Sequence, residues 1–325
     1  MLDFLNTWLA NGGFWVAIPL IVLGCVALIK GAGWLVDGAS GLAKKYGISD
    51  IVIGLTVVAF GTSMPEFVVN MVAVGQGNTE IAITNVLGSN IINTFVILGV
   101  TALICSISSQ RQSRRFDIPW SALGALLVLA IVTCVGFMPR ITGAILLVFF
   151  AFYLWQTFKH AKTSNSDENY TPMSPKKSLL LILVGLLLLV VGGEFIVKSA
   201  TNIAHSLGVS DAIIGLTVVA LGTSLPELAT SCMAAMKGNC DIALGNVIGS
   251  NLFNIFLILG VSALINPLSI KGISTLDWGV LMLSSILLFV FGRTGHKITK
   301  MEGMVLIALY ILYIITLVMG WQLPF

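Results

Sequence analysis

Residues 54–66 read Gly54-Leu-Thr-Val-Val-Ala-Phe-Gly-Thr-Ser-Met-Pro-Glu66, and residues 215–227 read Gly215-Leu-Thr-Val-Val-Ala-Leu-Gly-Thr-Ser-Leu-Pro-Glu227. The second stretch repeats the first 161 residues later. Each lies in a long apolar run. Each puts a Thr-Ser pair, a proline and a glutamate where a bilayer-crossing helix would carry hydrocarbon. Matching interruptions in two halves of a chain point to an ion site at the centre of a membrane transporter.

Composition sets the frame for that reading. Of 325 residues, 57% are hydrophobic and 10% charged, against about 25% charged in a soluble domain. Mean hydropathy is +1.00. The net charge of +3 and the absence of a basic, aromatic-interleaved segment argue against nucleic-acid binding. The start of the chain has no basic n-region, so the first apolar run is expected to be a retained span. Five cysteines (Cys25, Cys105, Cys134, Cys232, Cys240) without CxxC spacing are expected to be small apolar fillers.

A spanning helix needs about 20 apolar residues. Ten stretches qualify: Phe14–Val36, Asp50–Val74, Ile81–Cys105, Ile118–Phe137, Ile141–Thr157, Ser178–Asn202, Ala212–Met236, Ile242–Leu264, Leu276–Gly292 and Met304–Trp321. The fold expected is all-α and polytopic: ten transmembrane helices as two inverted five-helix repeats, with broken helices at the centre. Residues 1–158 form the first half, 159–177 a cytoplasmic linker and 178–325 the second half. With the N-terminus outside, thirteen loop Lys and Arg residues face the cytoplasm and three face away. That asymmetry predicts a multi-pass protein of the plasma (inner) membrane with both termini extracytoplasmic.

The repeat is wider than its signature. Positions 54–100 align with 215–261 without a gap, and 27 of the 47 pairs are identical. Five spans per half would make the second copy enter from the opposite side, with a shared site near the midplane. A duplication kept only for packing explains repeated Gly and Val, but not repeated Glu, Ser and Asn.

Pro65 and Pro226 lack an N–H and clash with the carbonyls of Gly61 and Gly222. Carbonyls near Ala59–Ser63 and Ala220–Ser224 are therefore expected to leave the helical ladder. In a membrane, freed backbone survives only in protein or against a cavity, where such oxygens suit hard cations. Glu66 and Glu227 lie in mid-span, where a charge costs from about 2.5 to above 10 kcal/mol. Facing each other, they stay charged only with a cation between them; otherwise they take protons. Asn85, Ser89 and Asn93 share one helix face at spacing i, i+4, i+8, and Asn246, Ser250 and Asn254 repeat that stripe. Gly88 and Gly249 are expected to let a neighbouring helix come close. Two bidentate glutamates and two carbonyls would give Ca2+ six oxygens, and the Ser and Asn oxygens suit Na+.

With Gly-Thr-Ser-x-Pro-Glu in both repeats, the chain resembles the sodium/calcium exchangers of the calcium:cation antiporter superfamily, over nearly its whole length. The resemblance implies that Glu66 and Glu227, with the carbonyls of Thr62 and Thr223, form the Ca2+ site. It implies that the carbonyls of Ala59 and Ala220, with Ser63, Ser224, Ser89, Ser250, Asn93 and Asn254, line Na+ sites. It further implies that the first span of each half slides across the core, Gly31, Gly33, Gly192 and Gly193 giving smooth faces. Several exchangers carry Asp where this chain has Asn254, so its acidic charge rests on two residues. The short linker resembles that of prokaryotic members.

The function expected is Na+-gradient-driven Ca2+ extrusion by alternating access, the ions competing for Glu66 and Glu227. The alternatives are H+/Ca2+ exchange and, in another class, a passive cation channel. An enzyme is not expected, since there is no HExxH or Gly-x-Ser-x-Gly and the three histidines lie at span ends or in loops. No cofactor is expected, the ions being cargo. The bilayer is the expected partner, with no protein partner or nucleic acid implied.

Overall fold

The computed structural model describes residues 2–161, 173–208 and 220–319. Among them, eight helices are long and apolar enough to cross a membrane, and a ninth unit is a bent pair. In chain order the helices are α1 (Leu2–Tyr46), α2 (Asp50–Thr62), α3 (Met64–Gly75), α4 (Thr79–Ile104), α5 (Ser113–Val135), α6 (Arg140–Lys159) and α7 (Pro175–Ser206). They continue as α8 (Ala220–Thr223), α9 (Leu225–Met236), α10 (Cys240–Ile265), α11 (Thr275–Arg293) and α12 (Lys300–Val318). The expected span Ala212–Met236 is described only from residue 220. The first five residues of the second signature, Asp211, most of the linker and Trp321 also lie outside the described residues.

Most expected spans match a helix to within a few residues. The first does not: α1 runs ten residues beyond Val36. Ala39 and Ala43 continue its buried apolar stripe past Asp37, so packing carries the helix through a stretch that hydropathy alone would end. Ser49 has the extended N-cap conformation of α2. Asp50 occupies the first turn, where a negative charge suits the helix dipole, and accepts a 3.0 Å hydrogen bond from Asn239.

Between α2 and α3 the axis bends by 45°. Ser63 sits at the break with φ −83°, ψ 5°, and Ser224, between α8 and α9, has φ −88°, ψ 4°. Pro65 and Pro226 each fall in the first turn of the following helix, where the missing N–H costs nothing. The release of carbonyls is narrower than expected. Ala59 O still accepts from Ser63 N at 3.0 Å and Ser63 O from Phe67 N at 3.1 Å, as Ser224 O does from Leu228 N at 3.0 Å. The interruption is confined to the turn between them.

Two kinds of helix interface organise the bundle. Along α1, Gly24, Gly31 and Gly38 recur every seven residues. They oppose Gly192, Gly185 and Ser178 of the antiparallel α7. A Cβ on those three glycines would lie 2.7, 2.7 and 2.6 Å from the facing carbonyl oxygens. A seven-residue period keeps one stripe along a helix, and only hydrogen fits at such crossings. In the core, α2 crosses α10 in the same close manner, through Gly54, Gly245 and Gly249. Gly249 thus meets the expectation of close approach, whereas at Gly88 no described residue lies within 4 Å of an added Cβ.

The copies interlock again at the bundle's ends. Strand β1 (Ile107–Ser108) pairs antiparallel with β4 (Lys297–Ile298), and β2 (Phe137–Met138) with β3 (Leu268–Ser269). Tyr153 donates to Asp117 at 3.3 Å and Tyr313 to Asp277 at 2.7 Å. These pairs stand 160 residues apart, so the duplication extends beyond the 47 aligned positions into α5, α6, α11 and α12.

One sequence expectation needs correction. Cys105 and Cys240 form a disulfide joining the end of α4 to the start of α10, so they are not simple fillers; Cys25, Cys134 and Cys232 are free. The tryptophans divide between surface and interior. Trp15, Trp34 and Trp155 are exposed, but Trp278 is buried, and Trp120 packs among Phe116, Phe149, Phe152 and Phe256.

Candidate cation site

The two breaks face each other, and their contacts are reciprocal. Ser63 Oγ donates to Glu227 Oε1 at 3.0 Å, and Ser224 Oγ to Glu66 Oε1 at 3.4 Å. Ser63 and Glu66 are three residues apart in one copy, as Ser224 and Glu227 are in the other. The crossed pairs therefore bring the carboxylates together. Both glutamates are only 1% exposed, and neither has a basic side chain as ion-pair partner among the described residues.

Short π-helical turns begin at Asn93 in α4 and at Phe253, one residue before Asn254, in α10. Such bulges inside α-helices are frequent at functional sites. The helix bearing Glu227 packs on the turn bearing Asn93, and the helix bearing Glu66 on the turn bearing Asn254. Asn93 Nδ2 donates to Asn251 Oδ1 at 3.1 Å, and Asn254 Nδ2 to Asn90 Oδ1 at 3.0 Å. With its NH2 occupied, each amide is left with a free oxygen.

Those oxygens join a distinctive set. Glu66 Oε2, Glu227 Oε2, Asn93 Oδ1, Asn254 Oδ1, Ser250 Oγ and Thr223 Oγ1 are all buried without a hydrogen-bond partner. A buried unpaired polar atom costs about 1–3 kcal/mol, so a concentration of buried oxygens, four of them (Glu66 Oε2, Glu227 Oε2, Asn93 Oδ1 and Asn254 Oδ1) able only to accept, fits a cation. No group of three or more His, Cys, Asp or Glu side chains clusters as a metal centre among the described residues. A cation here would therefore meet two carboxylates and neutral oxygens, a donor set for hard ions rather than for zinc or iron.

The other expected residues divide by role. Ser89 and Ser250 are buried on α4 and α10. The Ala59 carbonyl accepts from Ser63 N at 3.0 Å and from Thr62 Oγ1 at 3.4 Å. Thr62 Oγ1 also donates to Asn246 Oδ1 at 3.0 Å. Ala220 and Thr223 open the described part of the second copy. Asn85 and Asn246 tie helices together within each copy, donating to the carbonyls of Glu66 at 3.4 Å and Glu227 at 3.3 Å. Asn90 and Asn251, which hold the amides of Asn254 and Asn93, are missing from the sequence-based set. Their signal was the identical Gly-Ser-Asn triplet at 88–90 and 249–251.

Around this site, the glycines expected to give smooth faces separate into two groups. Gly31 and Gly192 belong to the tight α1–α7 seam. Gly33 and Gly193 do not: their nearest neighbours are Lys237 Nζ and Gly222 O, each 3.8 Å from an added Cβ. Lys237, just after α9, clasps α1 through Gly33 O at 2.9 Å and Asp37 Oδ1 at 2.5 Å. Glu194 pairs with Lys198 at 3.6 Å.

Apolar spans, paired helix breaks and a buried cluster of oxygens define a membrane ion transporter. The profile of the family described as sodium/calcium exchanger protein matches residues 16–159 and again residues 177–319. The chain is 36% identical to the putative antiporter CaxA of Alkalimonas amylolytica, over 92% of this chain and 97% of that one. It is 35% identical to the sodium/calcium exchanger MaX1 of Methanosarcina acetivorans, over the same shares. Structures of the sodium-calcium exchanger NCX_Mj superpose with a TM-score of 0.81 at 35% identity, covering 93% of this chain and 99% of that one. The chain belongs to the sodium/calcium exchanger family, and is a membrane antiporter rather than an enzyme.

Proposed function

We propose that this protein exchanges Na+ for Ca2+ across the plasma (inner) membrane, the Na+ gradient driving Ca2+ out. The observation that carries the proposal is the set of buried, unpartnered oxygens around Glu66 and Glu227. Ca2+ takes both carboxylates with the Thr62 and Thr223 carbonyls. Na+ ions take subsites built from the same carboxylates with Ser63, Ser224, Ser89, Ser250, Asn93, Asn254 and the Ala59 and Ala220 carbonyls. Two negative charges balance one divalent ion or two monovalent ones, so the ions displace each other. MaX1 is named a sodium/calcium exchanger, and NCX_Mj structures were soaked with Na+ and Ca2+, which supports the choice of ions.

The architecture in this proposal is ten spans, five before and five after the linker, with the second five inverted and both termini extracytoplasmic. Reciprocal contacts (Ser63–Glu227 with Ser224–Glu66, β1–β4 with β2–β3) are those of a local two-fold axis, which an inverted repeat lays in the membrane plane. Alternating access follows when α1 and α7 slide together over the core. Their mutual seam admits no side chain at its glycine crossings, and α7 meets the core at the glycines of the two breaks, Leu186 against Gly61 and Val197 against Gly222.

The test is radioactive Ca2+ uptake into proteoliposomes under an imposed Na+ gradient without a pH gradient. Uptake that follows the Na+ gradient supports the proposal. Uptake that ignores Na+ and follows pH replaces it with proton exchange, and Ca2+ flux without counter-ion movement replaces it with a channel.

A further inference from the structure

At one end of the bundle, the loop and first turn leading into α5 meet the segment between α11 and α12. Strands β1 and β4 join them, and Ser109 N donates to His296 O at 2.9 Å. Between them opens a cavity of about 580 Å3 lined by Arg111, Arg114, Arg115, Arg293 and His296. None of the four arginines has a carboxylate within ion-pair distance among the described residues. The nearby acids are committed elsewhere: Asp117 to Tyr153, Asp241 to Gln110, and Glu302 to the Thr299 cap. The guanidiniums are held by neutral groups instead. Arg114 donates to Ser109 O, and Arg293 donates to Arg114 O and lies 3.9 Å over the ring of Phe289.

The backbone here is also unusual. His296 has φ 60°, and is the one described non-glycine residue in the left-handed region. Conformations of that kind cost of order 1–3 kcal/mol and gather at ligand clamps. Concentrating four guanidiniums without a counter-charge also costs free energy, which a bound anion would return.

We infer that this cleft binds a phosphate-bearing anion. Arginine matches phosphate in bidentate geometry, and the volume is that of a site for a small molecule rather than a bare ion. Four apolar helices end around the cleft (α4, α5, α11 and α12), so it lies where a spanning bundle meets lipid headgroups. The sequence reading puts these basic loops on the cytoplasmic side, where anionic lipids attract basic clusters. A phosphodiester headgroup and a soluble phosphate share the recognising chemistry, and the experiment separates them.

Wild-type protein and the R111Q/R115Q variant are titrated in detergent with phosphatidylglycerol, phosphatidylcholine or pyrophosphate, and bound ligand is counted by native mass spectrometry. The guanidiniums of Arg111 and Arg115 make no hydrogen bond among the described residues and both residues are exposed, so the variant removes charge with little change in packing. Each lost guanidinium should weaken phosphatidylglycerol about fivefold and leave phosphatidylcholine unchanged. Pyrophosphate binding with the same arginine dependence, and no such dependence for lipid, would assign the cleft to a soluble phosphate. Equal binding of both anions to wild type and variant, or no binding to either, would overturn the inference. The readout is independent of transport, so it stands or falls apart from the exchange reaction.

Discussion

The core and the α1–α7 pair are both held by close helix crossings, yet they differ in what fills the contact. In the core, the glycine crossing of α2 and α10 is joined by polar contacts between the copies: serine hydroxyls on the opposite copy's glutamates, and asparagine amides on the opposite copy's asparagines. Between α1 and α7 the seam is glycine against backbone. Hydrogen bonds fix orientation, so the core holds oxygens at set angles. A glycine seam fixes only distance and axis, which suits a pair that moves as one body. Under the proposed function, the difference assigns specificity to the core and motion to the pair.

The sharpest way to break that assignment is Glu66→Gln or Glu227→Gln. Each removes half of the buried charge, and Ca2+ transport in proteoliposomes should fall more than about 100-fold while the protein elutes as wild type. Retained exchange in either variant would take the specificity out of the core. Next comes Gly31→Leu, which drives a side chain into Gly185 O. Overpacking of this kind costs about 1–3 kcal/mol, so the thermal midpoint should drop clearly; an unchanged midpoint would dissolve the seam. Asn251→Ala leaves Asn93 without its amide partner and should weaken Na+ activation about tenfold, or about 1.4 kcal/mol, with about 1–3 kcal/mol of stability lost because Asn93 and Thr94 are left unpaired. Wild-type Na+ dependence would mean that Asn93 needs no positioning. Smallest in stability is Lys237→Gln, because the exposed pair with Asp37 is worth at most about 1 kcal/mol. A change in transport rate with an unchanged thermal midpoint would mark the clasp as part of the motion.

The parts legible in the sequence were those set by covalent structure. A proline in the middle of an apolar run can continue a helix only by starting a new one, so Pro65 and Pro226 announced both breaks, and the glutamates beside them announced their chemistry. Hidden were the features that depend on orientation. Asn90 and Asn251 are repeated as faithfully as Asn93 and Asn254, but sequence does not say which amide holds and which is held. Gly24 lies inside an apolar run and Gly38 beyond its end, where a seven-residue spacing is easily overlooked without the opposing helix. The Asp–Tyr pairs escaped because the repeat shifts by one residue after position 261 and identity fades there. The length of α1 escaped because Asp37, Lys44 and Lys45 end its hydropathy before they end its packing.

The bond between Cys105 and Cys240 spans the two halves of the duplication, while residues 159–177 are the only main-chain link between those halves. A nick in that link would therefore not release a fragment. Cleaved protein should run as a single band on a denaturing gel and separate into two bands only after reductant is added. A chain synthesised as two separate pieces could likewise be sealed by its own cysteines.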